Sequence, residues 1–258
     1  MNDKKQIAFI TGATSGIGKA FAKKFASEGY DLIITGRRKQ IIESVANKIS
    51  KKFGVNVEVI IIELSDDDDL DKLVQKVKVT KNVDILVNNA GFATEKNFHE
   101  EDIKDQEAMV KVHVLAIIKL VHAAIPNMLE RGKGTIINVS SIGAFAALPR
   151  NAVYSGTKAF INTFTESLHL ELLKTGIKVQ TLCPGFTRTD FHEKLGYDNS
   201  KLHKNRGIIR WMSPEEVVAI SLRDLKISRV ISIPGFWNNL LKNLARFVPR
   251  TIYYRFLS

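Results

Sequence analysis

The sequence predicts a single α/β domain built on a doubly wound parallel sheet of about seven strands, with helices on both faces. Two observations predict this fold class. Short, β-branched apolar runs alternate with segments of helical length, and the runs are apolar on both faces, as in strands that helices cover on each side. In addition, no linker, low-complexity stretch or internal repeat divides the 258 residues.

The elements follow one another in strict β–α order, which predicts right-handed crossovers between parallel strands. The candidate strands are Ile7–Thr11, Leu32–Thr35, Val57–Ile62, Ile85–Asn88, Thr135–Ser140, Lys178–Cys183 and Val230–Ile233. The candidate helices include Gly18–Glu28, Lys39–Lys52, Asp67–Val79, Glu107–Glu130 and Ala152–Lys174. Ser65 before four aspartates predicts a helix start, and the Ser213–Glu216 capping box predicts another.

The charge of the chain is unevenly distributed. Its 38 Lys and Arg against 27 Asp and Glu give a net charge of +11, and residues 191–258 hold 12 basic against 5 acidic residues. A basic excess in the last quarter favours a local anionic partner over a nucleic-acid-binding protein, for which no recognition motif is present. The single cysteine, Cys183, excludes an internal disulfide and a Cys-rich zinc site, and no metal site is predicted.

The first residues lack the features of a secretory signal, and no stretch approaches the ~20 apolar residues of a membrane-spanning helix. We therefore expect a cytoplasmic protein that is soluble or peripheral to the membrane.

A glycine-rich turn joins the first candidate strand to the first helix. It reads Thr-Gly-Ala-Thr-Ser-Gly-Ile-Gly over residues 11–18, a G-x-x-x-G-x-G spacing. Glycines at such a junction allow a tight turn and bring backbone N–H groups close to a pyrophosphate at the helix N-terminus. The alternative is a plain strand-to-helix loop, which the position after the first strand makes less favourable.

The second candidate strand ends in Gly36-Arg37-Arg38. An acidic residue at this point accepts hydrogen bonds from a ribose 2′-hydroxyl, whereas a small residue followed by arginine suits a 2′-phosphate. The sequence therefore favours NADP(H) over NAD(H). The alternative is a solvated pair of arginines at a helix start.

Three polar residues form the candidate catalytic set. Tyr154 and Lys158 are four residues apart at the start of a predicted helix, so they share one face. A nearby ammonium favours a phenolate and is expected to lower the pKa of Tyr154. Ser141 follows the fifth strand, where its hydroxyl could bind a substrate carbonyl.

In these motifs the chain resembles the short-chain dehydrogenase/reductase family, over residues 5–190. The matching segments are residues 11–18, Asn88–Gly91, Asn138–Ser141, Tyr154–Lys158 and Pro184–Thr189. Within the family, the chain is similar to a branch of bacterial reductases and 3-ketoacyl reductases that resemble the type 12 17β-hydroxysteroid dehydrogenase.

The resemblance implies a Rossmann-like fold and a set of roles. Tyr154 would be the general acid/base, Ser141 would orient the carbonyl, and Lys158 would hold the nicotinamide ribose and tune Tyr154. Hydride would pass between nicotinamide C4 and the carbonyl carbon while Tyr154 supplies the proton. The cofactor-binding residues that it implies are Gly12, Thr14, Ser15, Gly16, Ile17, Gly18, Arg37, Arg38, Glu63, Leu64, Asn89, Ala90, Gly91, Tyr154, Lys158, Pro184, Gly185, Thr187 and Thr189.

The chain departs from the family pattern at two positions. Glu63-Leu64 stands where the family usually has Asp before an apolar residue, near the adenine, and the longer carboxylate can still accept from the exocyclic amine. His113 stands where the family usually has Asn, which helps hold a water in the proton relay behind the lysine. Imidazole can also relay a proton, so we expect His113 in the catalytic set, with reduced activity or an altered pH profile as alternatives. Apart from the family, His113 would be a satisfied core histidine.

Two segments outside the core have their own composition. Residues 191–212 mix apolar and basic side chains, as in a substrate lid with a basic mouth, or in an ordinary amphipathic lid. Residues 235–258 carry Lys242, Arg246, Arg250 and Arg255 and no acidic residue. This basic amphipathic extension is expected either to contact an anionic membrane or to pack on its own domain or a second subunit. Pro249 is expected to end or kink its helix.

These observations predict an NADP(H)-dependent ketoreductase acting on a small, largely apolar carbonyl or alcohol substrate, a 3-oxoacyl thioester or another lipophilic ketone. The alternatives are a hydroxysteroid-type dehydrogenase, or a catalytically impaired nucleotide-binding protein that docks on membranes. The resemblance also implies a homodimer or homotetramer through the helices at 107–130 and 152–174.

Overall fold

The architecture is a seven-stranded parallel sheet with helices on both faces, seen in a computed structural model that describes residues 5–193, 210–248 and 250–257. The strand order is β3-β2-β1-β4-β5-β6-β7, and each neighbouring pair is parallel. The order reverses between β1 and β4, which is where doubly wound sheets bind ligands outside the carboxyl ends of their strands. The predicted fold class is confirmed.

The strands are β1 Ile7–Ile10, β2 Asp31–Gly36, β3 Val57–Ile61, β4 Val83–Asn88, β5 Gly134–Val139, β6 Ile177–Leu182 and β7 Ile231–Ser232. The helices are α1 Gly16–Ser27, α2 Lys39–Phe53, α3 Asp67–Val79, α4 Ile103–Val110, α5 Ala116–Arg131, α6 Ala152–Glu171, α7 Asp190–Glu193, α8 Pro214–Lys226, α9 Phe236–Phe247 and α10 Arg250–Leu257. Short 3₁₀ helices span Phe98–Glu100 and Ile142–Phe145.

The core forms one apolar layer on each face of the sheet. On one face, side chains of α3, α5 and α6 pack on the strands, with Leu73, Leu120 and Ile161 buried. On the other face, α1, α2 and α8 do the same, with Phe21 and Ile42 buried. The strands are therefore covered on both sides, which is why their sequences are apolar on both faces.

The long helix between β4 and β5 differs from its prediction. It begins at Ile103 and is interrupted by a π-helical segment, Lys111–Leu115, between α4 and α5. The whole run Ile103–Arg131 has 29 residues and a most apolar window of mean hydropathy 1.8, so by length and composition it could cross a membrane, unlike our expectation. Half of that window is buried inside the protein, as expected of a core helix packed on the sheet.

The C-terminal extension forms two helices. The first, α9, ends at Phe247, before Pro249, and α10 begins at Arg250. The hydroxyl of Tyr253 on α10 donates to the carbonyl oxygen of Ala147, 2.7 Å away, so α10 lies against the loop that leads into α6. Most of the predicted lid, residues 194–209, lies outside the described residues.

Candidate active site

The candidate site residues lie at the carboxyl edge of the sheet. Parallel strands end at a common edge, so the segments after β1, β4, β5 and β6 meet there. The structure brings together the glycine turn, residues 89–91, the Ser141, Tyr154 and Lys158 set, and the turn at 184–189.

The side chains of Ser141 and Tyr154 are neighbours, since a Cβ at Gly143 would lie 3.4 Å from Oγ of Ser141 and 3.5 Å from Cε1 of Tyr154. Ser141 is the N-cap of the 3₁₀ helix Ile142–Phe145, and its Oγ accepts from the N–H of Gly143 at 3.0 Å, which fixes the direction of the hydroxyl oxygen. Burial raises the pKa of Tyr154, while the neighbouring hydroxyl of Ser141 acts to lower it. The pKa of Tyr154 is therefore raised and not lowered as the sequence predicts, because burial is the largest cause of the shift.

Lys158 is 5% exposed and lies beside the tyrosine ring. Its Nζ is 5.7 Å from the centroid of the Tyr154 ring and donates to the carbonyl oxygen of Val139 at 3.0 Å. Burial lowers the pKa of Lys158 to about 8. The ammonium is therefore held in one place, and its pKa lies closer to neutral pH than that of an exposed lysine.

His113 is fully buried in the π-helical segment, next to the catalytic set. The centroid of its ring is 5.9 Å from that of Tyr154, in an edge-to-face arrangement. Nε2 accepts from the N–H of Phe92 at 3.2 Å, and Nδ1 lies 3.0 Å from Oγ1 of Thr157. A Cβ atom at Gly91 would lie 2.8 Å from Nε2, so only glycine fits there without displacing the ring.

Cys183 is a neighbour of this set that sequence reasoning used only to exclude disulfides. Its Sγ donates to Oδ1 of Asn162 at 3.2 Å, and burial raises the pKa of the thiol to about 11. Its electrostatic interactions reach both Tyr154 and Lys158. The only sequence signal was its place directly before Pro184 and Gly185.

The glycine turn is closely packed against the segment after β4. Gly12 and Gly16 have φ values of 68° and 55°, which strain other residues. A Cβ at Gly12 would lie 2.8 Å from Cα of Ala90, and Nδ2 of Asn89 donates to the carbonyl oxygens of Thr11 and Gly12 at 3.0 Å each. The predicted residues of these two segments therefore form one unit.

The end of β2 has no room for a side chain. A Cβ at Gly36 would lie 2.6 Å from Cγ2 of Thr14. The adjacent arginines point to different partners, since Nη2 of Arg38 donates to Oγ1 of Thr14 at 3.0 Å while Nη1 of Arg37 donates to Oε2 of Glu63 at 2.8 Å. A side chain at position 36 would therefore displace that of Thr14, and two guanidinium groups lie at the edge of the site.

Glu63 is held by its own chain. Its Oε1 accepts from the N–H of Ser65 at 3.1 Å and its Oε2 from Arg37. Burial acts to raise the pKa of Glu63, but the hydrogen bonds from Arg37 and Ser65 keep it below its usual value. Glu63 thus binds Arg37, a contact that the sequence did not indicate, and Leu64 beside it is buried.

The turn after β6 contacts both the glycine turn and α9. Oγ1 of Thr187 donates to the carbonyl oxygen of Gly185 at 3.0 Å, and a Cβ at Gly16 would lie 2.8 Å from Cγ2 of Thr189. A Cβ at Gly185 would overlap the side chain of Asn238 on α9. The first turn of α9 is therefore part of the wall of this site, although the sequence placed it in a separate extension.

Two cavities flank residues 148–152, the segment that leads into α6. One of about 180 Å³ is lined by Tyr154 together with polar groups such as Thr94 and Gln106. The other, of about 670 Å³, is mainly apolar and lies between residues 144–147 and Tyr254 of α10. Among the described residues, no group of three or more His, Cys, Asp or Glu could hold a metal ion.

Comparison with known proteins agrees with this geometry. A family model described as short chain dehydrogenase matches residues 6–200. The chain belongs to the short-chain dehydrogenase family. It is therefore an oxidoreductase, and the glycine turn and the Ser141, Tyr154 and Lys158 set lie in the segments that carried the family resemblance.

The chain is similar to three further proteins. An uncharacterized oxidoreductase of Staphylococcus saprophyticus is 34% identical over 185 residues, 71% of this chain and 79% of that protein. A short-chain dehydrogenase from Sphingobium yanoikuyae, solved in complex with NADPH, is 29% identical, with a TM-score of 0.84 and coverage of 96% of this chain and 95% of that one. The bulky-bulky ketone specific alcohol dehydrogenase from Comamonas testosteroni is 27% identical, with a TM-score of 0.79 and coverage of 96% and 94%.

Proposed function

We propose that this short-chain dehydrogenase interconverts a ketone and a secondary alcohol on a largely apolar substrate, with NADP(H) as its cofactor. The observation that carries the proposal is the placement of Ser141 and Tyr154 side by side, next to the buried ammonium of Lys158 and at the edge where the glycine turn lies. This arrangement favours an active enzyme over the impaired nucleotide-binding alternative.

The cofactor is NADP(H). The residues present fit it, because β2 ends in Gly36 with no acidic residue beside it, while Arg37 and Arg38 supply positive charge for a 2′-phosphate. NADPH is also the ligand of the similar dehydrogenase from Sphingobium yanoikuyae. When bound, the cofactor supplies or accepts the hydride.

The protein residues have three tasks. Ser141 donates a hydrogen bond that orients the substrate carbonyl, and Tyr154 gives its phenolic proton to the carbonyl oxygen as that oxygen gains charge. Lys158 binds the nicotinamide ribose, and its positive charge stabilises the phenolate that remains on Tyr154. Oxidation of the alcohol uses the same groups in reverse.

The substrate is a 3-oxoacyl thioester or another lipophilic ketone, with a hydroxysteroid as the second candidate. Aromatic side chains support an apolar substrate, since the ring of Phe191 lies 6.1 Å from that of Tyr154 and Phe186 lies 5.3 Å from Trp211. The substrate of the similar Comamonas testosteroni enzyme is a bulky ketone by its name.

We divide the chain into a catalytic core at 1–190, a lid at 191–212 and an extension at 235–258.

The first experiment is a titration with NADPH and NADH, each followed by nicotinamide fluorescence. Tight NADPH and weak NADH binding supports the cofactor assignment, whereas equal affinities contradict it. NADPH oxidation is then measured against 3-oxoacyl thioesters, bulky ketones and ketosteroids. Absence of binding of either nucleotide contradicts the proposed function as a whole.

We also propose that the protein is a homodimer or homotetramer through α5 and α6. Both helices expose large apolar side chains, with Ile118 and Leu129 on α5 exposed by 36% and 44% and Phe160 and Leu170 on α6 by 37% and 66%. Light scattering tests the proposal, and a monomer at all concentrations contradicts it. The variant Phe160→Glu should dissociate the oligomer, because a charge cannot be buried there unpaired.

Finally, we propose that the extension binds an anionic membrane surface on the cytoplasmic side. Phe236, Leu240 and Leu244 lie on one stripe of α9, and the first and last are 75% and 48% exposed. Asn238 and Tyr253 pack on the domain itself, so the apolar stripe is the part of the extension that is left for a membrane. Residues 235–258 carry four basic and no acidic residues, which favours an anionic lipid surface over the same segment of a second subunit.

Co-sedimentation with vesicles tests this. The protein should bind phosphatidylglycerol vesicles and not phosphatidylcholine vesicles, and the double variant Phe236→Ser, Leu244→Ser should lose binding. Ile227 follows the last residue of α8, outside the extension, and is 65% exposed. The control variant Ile227→Ser should therefore bind the vesicles as the wild type does. Equal binding of the double variant and wild type contradicts the proposal.

A further inference from the structure

The buried ring of His113 lies between two parts of the site that are far apart in sequence. The π-helical segment Lys111–Leu115 places it there, and such segments often occur at functional sites. On one side of the ring is the turn after β4, which carries Gly91 and Phe92. On the other side is the first part of α6, which carries Thr157 between Tyr154 and Lys158.

The hydrogen bonds assign a single form of this ring. The backbone N–H of Phe92 can only donate, so Nε2 of His113 carries a lone pair. The hydroxyl of Thr157 already donates its hydrogen to the carbonyl oxygen of Tyr154, 2.9 Å away, so its oxygen accepts from Nδ1 of His113. The ring is therefore neutral, with its hydrogen on Nδ1.

We infer that His113 is a positioning residue that bridges the turn after β4 and the first part of α6, and that it does not carry the reacting proton. A chain of bonds runs from the N–H of Phe92 through the ring and the hydroxyl of Thr157 to the carbonyl oxygen of Tyr154. Both ring nitrogens are thereby committed to the protein. The inference rests on the proposed function, since it assigns a task within that site.

The surroundings keep the ring in this form. Burial, and secondarily the charge of Lys158, lower the pKa of His113 well below its usual value. A proton on Nε2 would also face the N–H of Phe92, which has no other acceptor at that point. The other titratable group against the ring is Tyr154, whose pKa is raised.

Two substitutions separate the ends of the bridge. In His113→Asn the side-chain amide reaches the place of Nδ1, so it can donate to Thr157 but cannot accept from Phe92. In His113→Gln the amide reaches the place of Nε2, so it can accept from Phe92 but cannot donate to Thr157. His122, an exposed histidine on α5, provides the matched controls His122→Asn and His122→Gln.

The two variants should show opposite patterns. The dissociation constant of NADPH should rise about tenfold more in His113→Asn than in His113→Gln, because a buried backbone N–H loses its acceptor beside the cofactor turn. The kcat should fall about tenfold more in His113→Gln than in His113→Asn, because Thr157 and Tyr154 lose their support. The variant Thr157→Val should resemble His113→Gln, and combining the two should add little.

If both His113 variants lower kcat by the same factor and have the same dissociation constant for NADPH, the ring acts in proton transfer and the inference is wrong. A measurement on the wild-type protein does not depend on folding of the variants. With ¹⁵N-labelled histidine, NMR should find hydrogen on Nδ1 and none on Nε2 of His113, and the opposite tautomer overturns the inference. Failure of the proposed function would show separately, as absence of nucleotide binding by the wild type.

Discussion

Gly36 and Thr14 lie so close together that a side chain at position 36 would displace that of Thr14. The methyl carbon of Thr14 lies 2.6 Å from the place where a Cβ at Gly36 would be. Oγ1 of the same threonine accepts a hydrogen bond from Arg38. Thr14 therefore both restricts the side chain at position 36 and orients an arginine at the edge of the site. We therefore expect selectivity between the two nicotinamide cofactors to depend on this pair as well as on the arginines.

We expect that Gly36→Asp alone abolishes NADPH binding without creating NADH binding, because the new side chain overlaps Thr14. The double variant Thr14→Ala, Gly36→Asp removes the overlapping methyl group and should bind NADH. Fluorescence titration with each nucleotide measures both effects. Tight NADH binding by the single variant would show that the turn yields to the new side chain and would contradict the prediction.

A second prediction concerns Glu63. Its ion pair with Arg37 is exposed, so the pair itself contributes little to stability, while its negative charge repels a 2′-phosphate. Glu63→Gln should therefore tighten NADPH binding by about threefold at low salt, and less at high salt. NADH affinity should not change. The same improvement for both nucleotides would contradict a role through the phosphate.

A third prediction concerns the general acid. Tyr154→Phe should cut turnover by at least about a hundredfold, the size of a lost acid/base group, while NADPH binding is kept. Tyr30 packs on Phe25 away from the site, so Tyr30→Phe is the matched control and should keep full turnover. Unchanged turnover of Tyr154→Phe would refute the assigned role.

A fourth prediction concerns stability. The pKa of Lys158 is about 8 in the folded protein against an ordinary value of 10.5, so between these values the unfolded chain binds more protons and the free energy of unfolding rises with pH. At pH 7 both states are protonated and the burial cost is present in full. Lys158→Met should therefore raise the free energy of unfolding at pH 7 by up to about 3 kcal/mol. It should also remove the increase of this free energy between pH 8 and pH 10.5.

Urea unfolding at pH 7 and pH 10 measures this difference. Lys48, an exposed lysine on α2, provides the control Lys48→Met, which should leave the free energy of unfolding unchanged at both pH values. A less stable Lys158→Met variant at pH 7 would mean that the hydrogen bond to Val139 outweighs the cost of burying the charge.

The sequence predicted the sheet and most of the site because both depend on local patterns. Apolar runs indicated the strands, and the motifs around Tyr154 and Lys158 indicated a catalytic set that the fold then brings together. The strand ends were less certain where tertiary pairing decides them, and the last strand shrinks to Ile231–Ser232 because it pairs with β6 over only two residues.

What the sequence could not indicate are contacts between distant segments. Nothing local joins Glu63 to Arg37, or shows that both nitrogens of His113 meet partners at Phe92 and Thr157. The sign of the Tyr154 pKa shift was wrong for the same reason, since the sequence identifies a neighbouring charge but not the extent of burial. The assigned roles of the site residues themselves stay predictions, for which the variants above are the tests.

The contact between Gly185 and Asn238 has a consequence for how this protein can vary. The side chain of Asn238 is 3% exposed, donates to the carbonyl oxygen of Pro234 at 2.6 Å, and fills the place that a Cβ at Gly185 would take. A larger residue at 185 is tolerated only with a smaller one at 238, so the two positions must mutate together. Removing the last helices would likewise uncover the turn at Gly185, so we expect a truncated protein to lose activity as well as its surface helix.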